Sequence, residues 1–447
     1  MMTARRGDDS AGGRLAGLAA VTALALLATG CSGGGHGTSQ ASAAARTGAA
    51  ASGSPGGAGT TSGRGAAPRV TITPANGAKD ADPSAGITVT AADGTLNHVT
   101  VRTSGEAVPG GLSQGGTVWR SQWALDVSQA YAVTATASGP GGTVTTTSAF
   151  HTLTPSQTFR TYTPLGYRAT YGVGMPIILY FSQRITNKAA VERALQITTS
   201  TPVVGAWYWD DPCNMAPTCV YFRPRDYWPA GATVSFTGHL NGVQGAAGVY
   251  GYHTLTQTFN IGPSLIAVGN TRTHRTQIYY NGKLRYDWPI SSGRPGDDTP
   301  DGSYLTIEKA NPVQMTGPGY SISVPWSVRF TWSGDYYHDA YWSVGQQGFE
   351  NVSHGCVNLA PADAETYYNL AVPGDPITIV GSPKAGTWDN GWTQWFLGWS
   401  QYLAGSALHE AVQAGPDGST FVNPATLAAS TASAPLETAP GGNDGAR

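Results

Sequence analysis

The chain has 447 residues, enough for about three domains of ordinary size. Its formal net charge is −2 and only 12% of its residues are charged, which excludes the basic footprint that nucleic acid or a polybasic membrane contact would need. Sixty Gly, 13 Trp and 21 Tyr, with frequent Thr and Val, point to short strands and many turns, hence a mostly β protein.

Arg5, Arg6 and Arg14 precede an apolar run from Leu15 to Leu27 that is too short for a membrane span. The run leads into Leu27-Ala28-Thr29-Gly30-Cys31, which resembles a bacterial lipoprotein box. That resemblance implies a signal peptide over 1–31, a lipid on Cys31, and an exported protein anchored to the cell membrane and facing the cell wall. Residues 32–67 are Gly, Ser, Ala and Thr with almost no large apolar side chain, so they cannot bury a core and read as a disordered linker. Such a flexible coil spans about 30–36 Å root-mean-square.

Residues 68–155 alternate apolar and hydroxyl side chains, as in Val70-Thr71-Ile72-Thr73 and Tyr131-Ala132-Val133-Thr134-Ala135. Period-two alternation puts one face on a core and one in water. Turn signals such as Gly139-Pro140-Gly141-Gly142 separate the runs, and the spacing predicts an immunoglobulin-like sandwich with Trp119 and Trp123 in its core. Residues 156–258 repeat the plan, with a short helix expected from Asn187 to Leu195 and Asn187 as its cap. His151-Thr152-Leu153-Thr154 and His253-Thr254-Leu255-Thr256 echo each other near the two ends, as tandem units would. Cys213 and Cys219 close a short loop, and outside the cytoplasm that predicts a disulfide. A metal site is disfavoured because no second ligand pair accompanies them.

Residues 259–382 form a third, β-rich unit with Asn281-Gly282 as a hairpin turn and a short helix from Pro361 to Leu370. In 383–410, Trp388, Trp392, Trp395 and Trp399 are spaced to share one face of a helix packed back on that unit. Residues 411–447 are expected to be a disordered tail.

With Cys31 lipidated and Cys213 paired to Cys219, Cys356 is left over among polar neighbours, a candidate nucleophile. A thiol needs a base to become the reactive thiolate, and His338 and His354 both qualify by residue type. Backbone N–H groups around Gly355 and Cys356 are candidate donors to an oxyanion.

Thr299-Pro300-Asp301-Gly302-Ser303, His338-Asp339-Ala340 and Ser353-His354-Gly355-Cys356-Val357-Asn358 together resemble the YkuD-type L,D-transpeptidases. Trp342 to Gly348 and the Trp-rich segment extend the likeness to the multi-domain actinobacterial enzymes with immunoglobulin-like domains. The resemblance implies that Cys356 attacks a peptidoglycan tetrapeptide stem, expels the terminal D-Ala, and passes the thioester to a diamino-acid amine, giving a 3-3 cross-link. It implies His338 as base, oriented by the backbone carbonyl of Asp339, and Gly355 on the oxyanion side. It further places Met315, Tyr320, Ser353, His354 and Asn358 in the substrate pocket and makes carbapenems covalent inhibitors, with no cofactor or metal. Asp339 departs from the small residue usual at its position, and the lid between Tyr320 and His338 is shorter than in relatives. An L,D-carboxypeptidase using water, or an idle wall-binding lipoprotein, are the alternatives; the intact Cys356 and His338 disfavour the second.

Overall fold

The computed structural model describes residues 65–104, 106–317 and 320–430. Cys31, the linker up to residue 64 and the chain beyond residue 430 lie outside the described residues.

The first sandwich is two four-stranded sheets. Its alternation works as the sequence suggests: along Ala130–Gly139, Tyr131, Val133, Ala135 and Ala137 turn inward and are buried. The outward Thr136 and Ser138 pair with Thr145 and Thr143 across the neighbouring strand. Trp119 is in this core, whereas Trp123 stacks on His239 of the second sandwich with ring centroids 3.9 Å apart. Trp123 therefore belongs to the junction of the two sandwiches.

The second sandwich has a larger core, lined by Ile177, Leu179, Trp207, Phe222, Trp228, Phe236 and Phe259. Its helix spans Lys188–Arg193, shorter than the sequence suggests. Asn187 holds the cap position, but its side chain bonds the Gln244 carbonyl and not the helix. Cys213 and Cys219 are joined by a disulfide.

The catalytic unit packs a five-stranded sheet and a four-stranded sheet around a core of Ile278, Tyr304, Phe330, Tyr337, Val357, Tyr367 and Ile377. Asn281 and Gly282 both take positive φ, as a tight hairpin turn requires. The helix Pro361–Leu370 begins on Pro361 and carries Asp363 in its first turn.

Two expectations for the C-terminal part are corrected. The Trp-rich stretch is not one helix: it breaks into a 3-10 turn, Gln394–Phe396, and a short helix, Trp399–Ala404, with Gly391 and Gly398 interrupting it. The four indoles consequently do not share a face. Trp388 packs on Tyr208, Trp392 on Trp332, and Trp395 donates to the Gly174 carbonyl, so the segment straps the catalytic unit to the second sandwich. Arg223, almost fully buried, lies against the rings of Trp395 and Tyr402 at 4.2 and 4.3 Å and holds the strap from below.

The disordered tail expected from residue 411 is also corrected. Ala411–Gly415 pairs with Val203–Asp210, and Gly418–Val422 pairs outside it, so the second sandwich's large sheet has six strands. Pro416-Asp417-Gly418 is the turn between them.

Candidate active site

Two adjacent parallel strands build the site. Tyr336–Asp339 pairs with Val357–Leu359, with His338 opposite Asn358 and Tyr337 opposite Val357. Cys356 stands immediately before the second strand, level with Tyr336. The chain between them, 340–355, crosses from one strand to the other, which brings together residues 18 apart in sequence.

His338 is buried, and its Nδ1–H donates to the Asp339 carbonyl at 2.7 Å. A carbonyl can only accept, so Nδ1 carries the proton and Nε2 keeps a free lone pair. Burial pushes the imidazole down to about 4, only partly opposed by that hydrogen bond, so it is neutral near pH 7. The Asp339 side chain follows strand alternation onto the opposite face from the imidazole. Its carbonyl alone reaches His338.

The Cys356 thiol is half-buried, 3.7 Å from the Gly334 carbonyl and bonded by the Tyr336 N–H. Burial first, then the negative charge of Asp335, pushes it up to about 12. The resting pair is thus neutral thiol and neutral imidazole.

His354 is exposed and stacks on lid residue Tyr320 with centroids 5.0 Å apart. It contacts the hairpin that carries Tyr320 and is not built into the strand pair. Met315 lies opposite Ile322 in the same lid hairpin, Val313–Gly317 with Tyr320–Val324.

Three of the expected site residues, Ser353, Asn358 and Gly355, have hydrogen-bond partners within the protein. Ser353 is buried; its hydroxyl donates to the Cys356 carbonyl at 2.6 Å and accepts the Gly355 N–H at 3.2 Å. Asn358 is buried and donates to Ser343 at 2.9 Å, tying the two strands' ends together. Both hold the loop and strand ends that carry the thiol. The Gly355 N–H is engaged by Ser353, whereas the Cys356 N–H has no partner among the described residues and is the free backbone donor beside the thiol.

What Gly355 contributes is space. Its φ is +127°, and a Cβ there would lie 2.4 Å from Asp335 Oδ1. Gly355→Ala should therefore lower stability by about 1–3 kcal/mol and slow thiol acylation, read by urea unfolding and by mass spectrometry.

Asp335 is the residue the sequence reading misses. It is 9% exposed, and its Oδ2 accepts from Thr331 at 2.6 Å and Ser333 at 3.1 Å. Asn390 of the strap clasps Ser333 in turn, accepting its N–H at 2.8 Å and donating to its hydroxyl at 2.9 Å. A Thr-x-Ser-Gly-Asp turn is visible in the sequence, but its carboxyl reaching position 355 is not.

Residues 78–244 match the bacterial Ig domain family, one match across both sandwiches, and residues 264–379 match the L,D-transpeptidase catalytic domain family. L,D-transpeptidase 2 of Mycobacterium tuberculosis is 32% identical over 347 residues, covering 73% of this chain and 84% of that protein. The chain belongs to the L,D-transpeptidase family. L,D-transpeptidase 5 of the same species is 35% identical over 324 residues, covering 71% of this chain and 72% of its own length. A solved LD transpeptidase in complex with imipenem is 33% identical, spans 51% of this chain and all of its own, and superposes with a TM-score of 0.41. As a member of this family the protein is an enzyme, mostly β, with an Ig-like region ahead of its catalytic domain.

Proposed function

We propose that this enzyme forms 3-3 cross-links in peptidoglycan through a thioester on Cys356. The observation that carries the reading is the strand pair. One strand supplies a neutral imidazole whose Nε2 lone pair is free, and the other supplies the only free thiol among the described residues. In acylation, Nε2 of His338 takes the thiol proton as Sγ attacks the carbonyl of the donor's third residue. The Cys356 N–H faces the developing oxyanion, and the imidazolium returns the proton to the departing D-Ala amine. The amine of a diamino acid on a second stem then attacks the thioester and releases the thiol. The hairpin carrying Met315 and Tyr320 meets the nucleophile loop through the Tyr320–His354 stack, where a donor stem would be held.

A thiol that opens a peptide carbonyl also opens a strained β-lactam, and a carbapenem is expected to acylate Cys356. Export with a lipid on Cys31 would hold the folded part on the outer membrane face, on a tether of about 30–36 Å. Cys31→Ala should abolish palmitate labelling and release the protein from membranes.

The test is a disaccharide tetrapeptide incubated with the enzyme, with products read by mass spectrometry. Dimers lacking one D-Ala are expected, with meropenem adding its mass to the Cys356 peptide. Tripeptide alone would replace the reading with hydrolysis, and absence of both turnover and adduct would end it.

A further inference from the structure

We infer that Asp335 is the docking group for the acceptor's ammonium, and so sets the choice between cross-linking and hydrolysis. The inference rests on the transpeptidation reading above. It begins from a carboxyl that is nine-tenths buried and makes no direct ion pair; burial raises its pKa, opposed by the Thr331 and Ser333 hydroxyls and then by the more distant charges of Lys384 and Arg329. No Lys or Arg lies within ion-pair distance of it among the described residues; Arg329 pairs with Glu308. A buried charge without a counter-ion is costly, and it persists where a ligand supplies the opposite charge.

The placement is specific. Asp335 sits between the two groups that touch the thiol, the Gly334 carbonyl and the Tyr336 N–H. Its Oδ2 is fixed by Thr331 and Ser333, which leaves Oδ1 without a hydrogen bond and directed at Gly355, next to the nucleophile. The turn that carries it is rigid: the Asp335 N–H donates to Thr331 Oγ1 at 2.8 Å, and Phe330 N–H donates to the Asp335 carbonyl at 3.0 Å. In the chain the imidazole comes two residues after Tyr336 and the carboxylate one before it, so base and carboxylate are carried by one short segment beside the thiol.

This arrangement hinders the first half-reaction slightly, because the anion opposes thiolate formation. It favours the second. The acceptor arrives as R–NH3+, and a carboxylate binds it by a charge-assisted hydrogen bond where neutral water gains no such advantage. The ammonium gives one proton to solvent through the carboxylate, and its nitrogen forms the new C–N bond. The C–S bond breaks, and the second N–H proton passes through His338 to Sγ. The sum is amide, free thiol and one released proton.

The experiment uses the full chain and Asp335→Asn, whose amide oxygen still accepts from Thr331 and Ser333. The donor is a tetrapeptide ending in D-Ala, and the acceptors are a tripeptide ending in a diamino acid and, separately, hydroxylamine, which is neutral at pH 7. In D335N the KM for the diamino acceptor should rise at least tenfold and the tripeptide hydrolysis product should gain share. Acyl-enzyme formation should hold or rise slightly, staying within threefold of wild type, and hydroxylamine capture should keep its wild-type rate. An unchanged acceptor KM overturns the inference and leaves transpeptidation standing. Equal losses in acylation and in both captures would make Asp335 a support of the thiol loop and also overturn it. A wild-type enzyme that only hydrolyses its acyl-enzyme would end the transpeptidation reading and this one with it.

Discussion

Glutamine at position 338 should slow acylation of Cys356 by about a thousand- to ten-thousand-fold, the upper part of the range for losing a general base. The size follows from the thiol. Held up at about 12, it supplies on the order of one thiolate in 10⁵ at pH 7, so spontaneous ionisation cannot substitute for proton transfer to Nε2. The pH dependence separates the two routes. In the wild type the imidazole is lowered to about 4, so it is already the free base at pH 5 and loses its proton-accepting lone pair only as pH falls through that value. Acylation should show its acid limb near pH 4 and not near the ordinary histidine value. In His338→Gln the rate should instead climb about tenfold per pH unit through neutrality, tracking free thiolate. His354→Gln should stay within about threefold, because that ring is exposed and stacked on Tyr320. Single-turnover acylation by a carbapenem, followed across pH, decides it. An inert His354 variant beside a working His338 variant would transfer the base to the lid side.

Much of this site was legible because its chemistry is local. Ser353 to Asn358 and the His338 motif are short runs of unusual residue types, and strand alternation around Tyr131 or Asn281-Gly282 reads directly as fold. What was illegible depends on partners distant in sequence. Nothing in the sequence says that Ser353 already holds the Gly355 N–H. Ser353 and Asn358 are polar beside a nucleophile, and only the fold shows both turned inward. Asp335 reads as an ordinary turn residue until the fold sets its carboxyl against Gly355. The Trp spacing of 4, 3 and 4 fits a helix by period alone, but two glycines and three separate aromatic surfaces compete for the indoles. The strands after residue 410 were hidden by composition. Val412-Gln413-Ala414 is a short apolar-polar-apolar run and Pro416-Asp417-Gly418 is a turn signal, yet Ala, Gly and Pro dominate the stretch and mask both.

Those strands carry the other large effect. Val412→Asp should destabilise the second sandwich by about 3–5 kcal/mol, the range for a buried charge with no partner. Val412 is 1% exposed, faces the core shared by Val203 and Trp207, and pairs in register with Gly205. Removing everything after Glu410 should act in the same direction. It bares the Val203–Asp210 edge, takes Ala411 and Ala414 from the core, and loses the Ser419 hydroxyl that accepts the Ile197 N–H. Urea unfolding followed by tryptophan fluorescence measures this, since Trp207, Trp209 and Trp228 all report from that core. A dispensable tail would leave the midpoint unmoved. The consequence reaches the active site through the strap. Before it reaches these strands the chain passes through Asn390, which fixes Ser333, which fixes Asp335 beside the thiol. Asn390→Ala should therefore leave the unfolding midpoint of the second sandwich near wild type while altering the reaction at Cys356. That pattern would distinguish an effect on the catalytic turn from the stability contributed by the C-terminal strands.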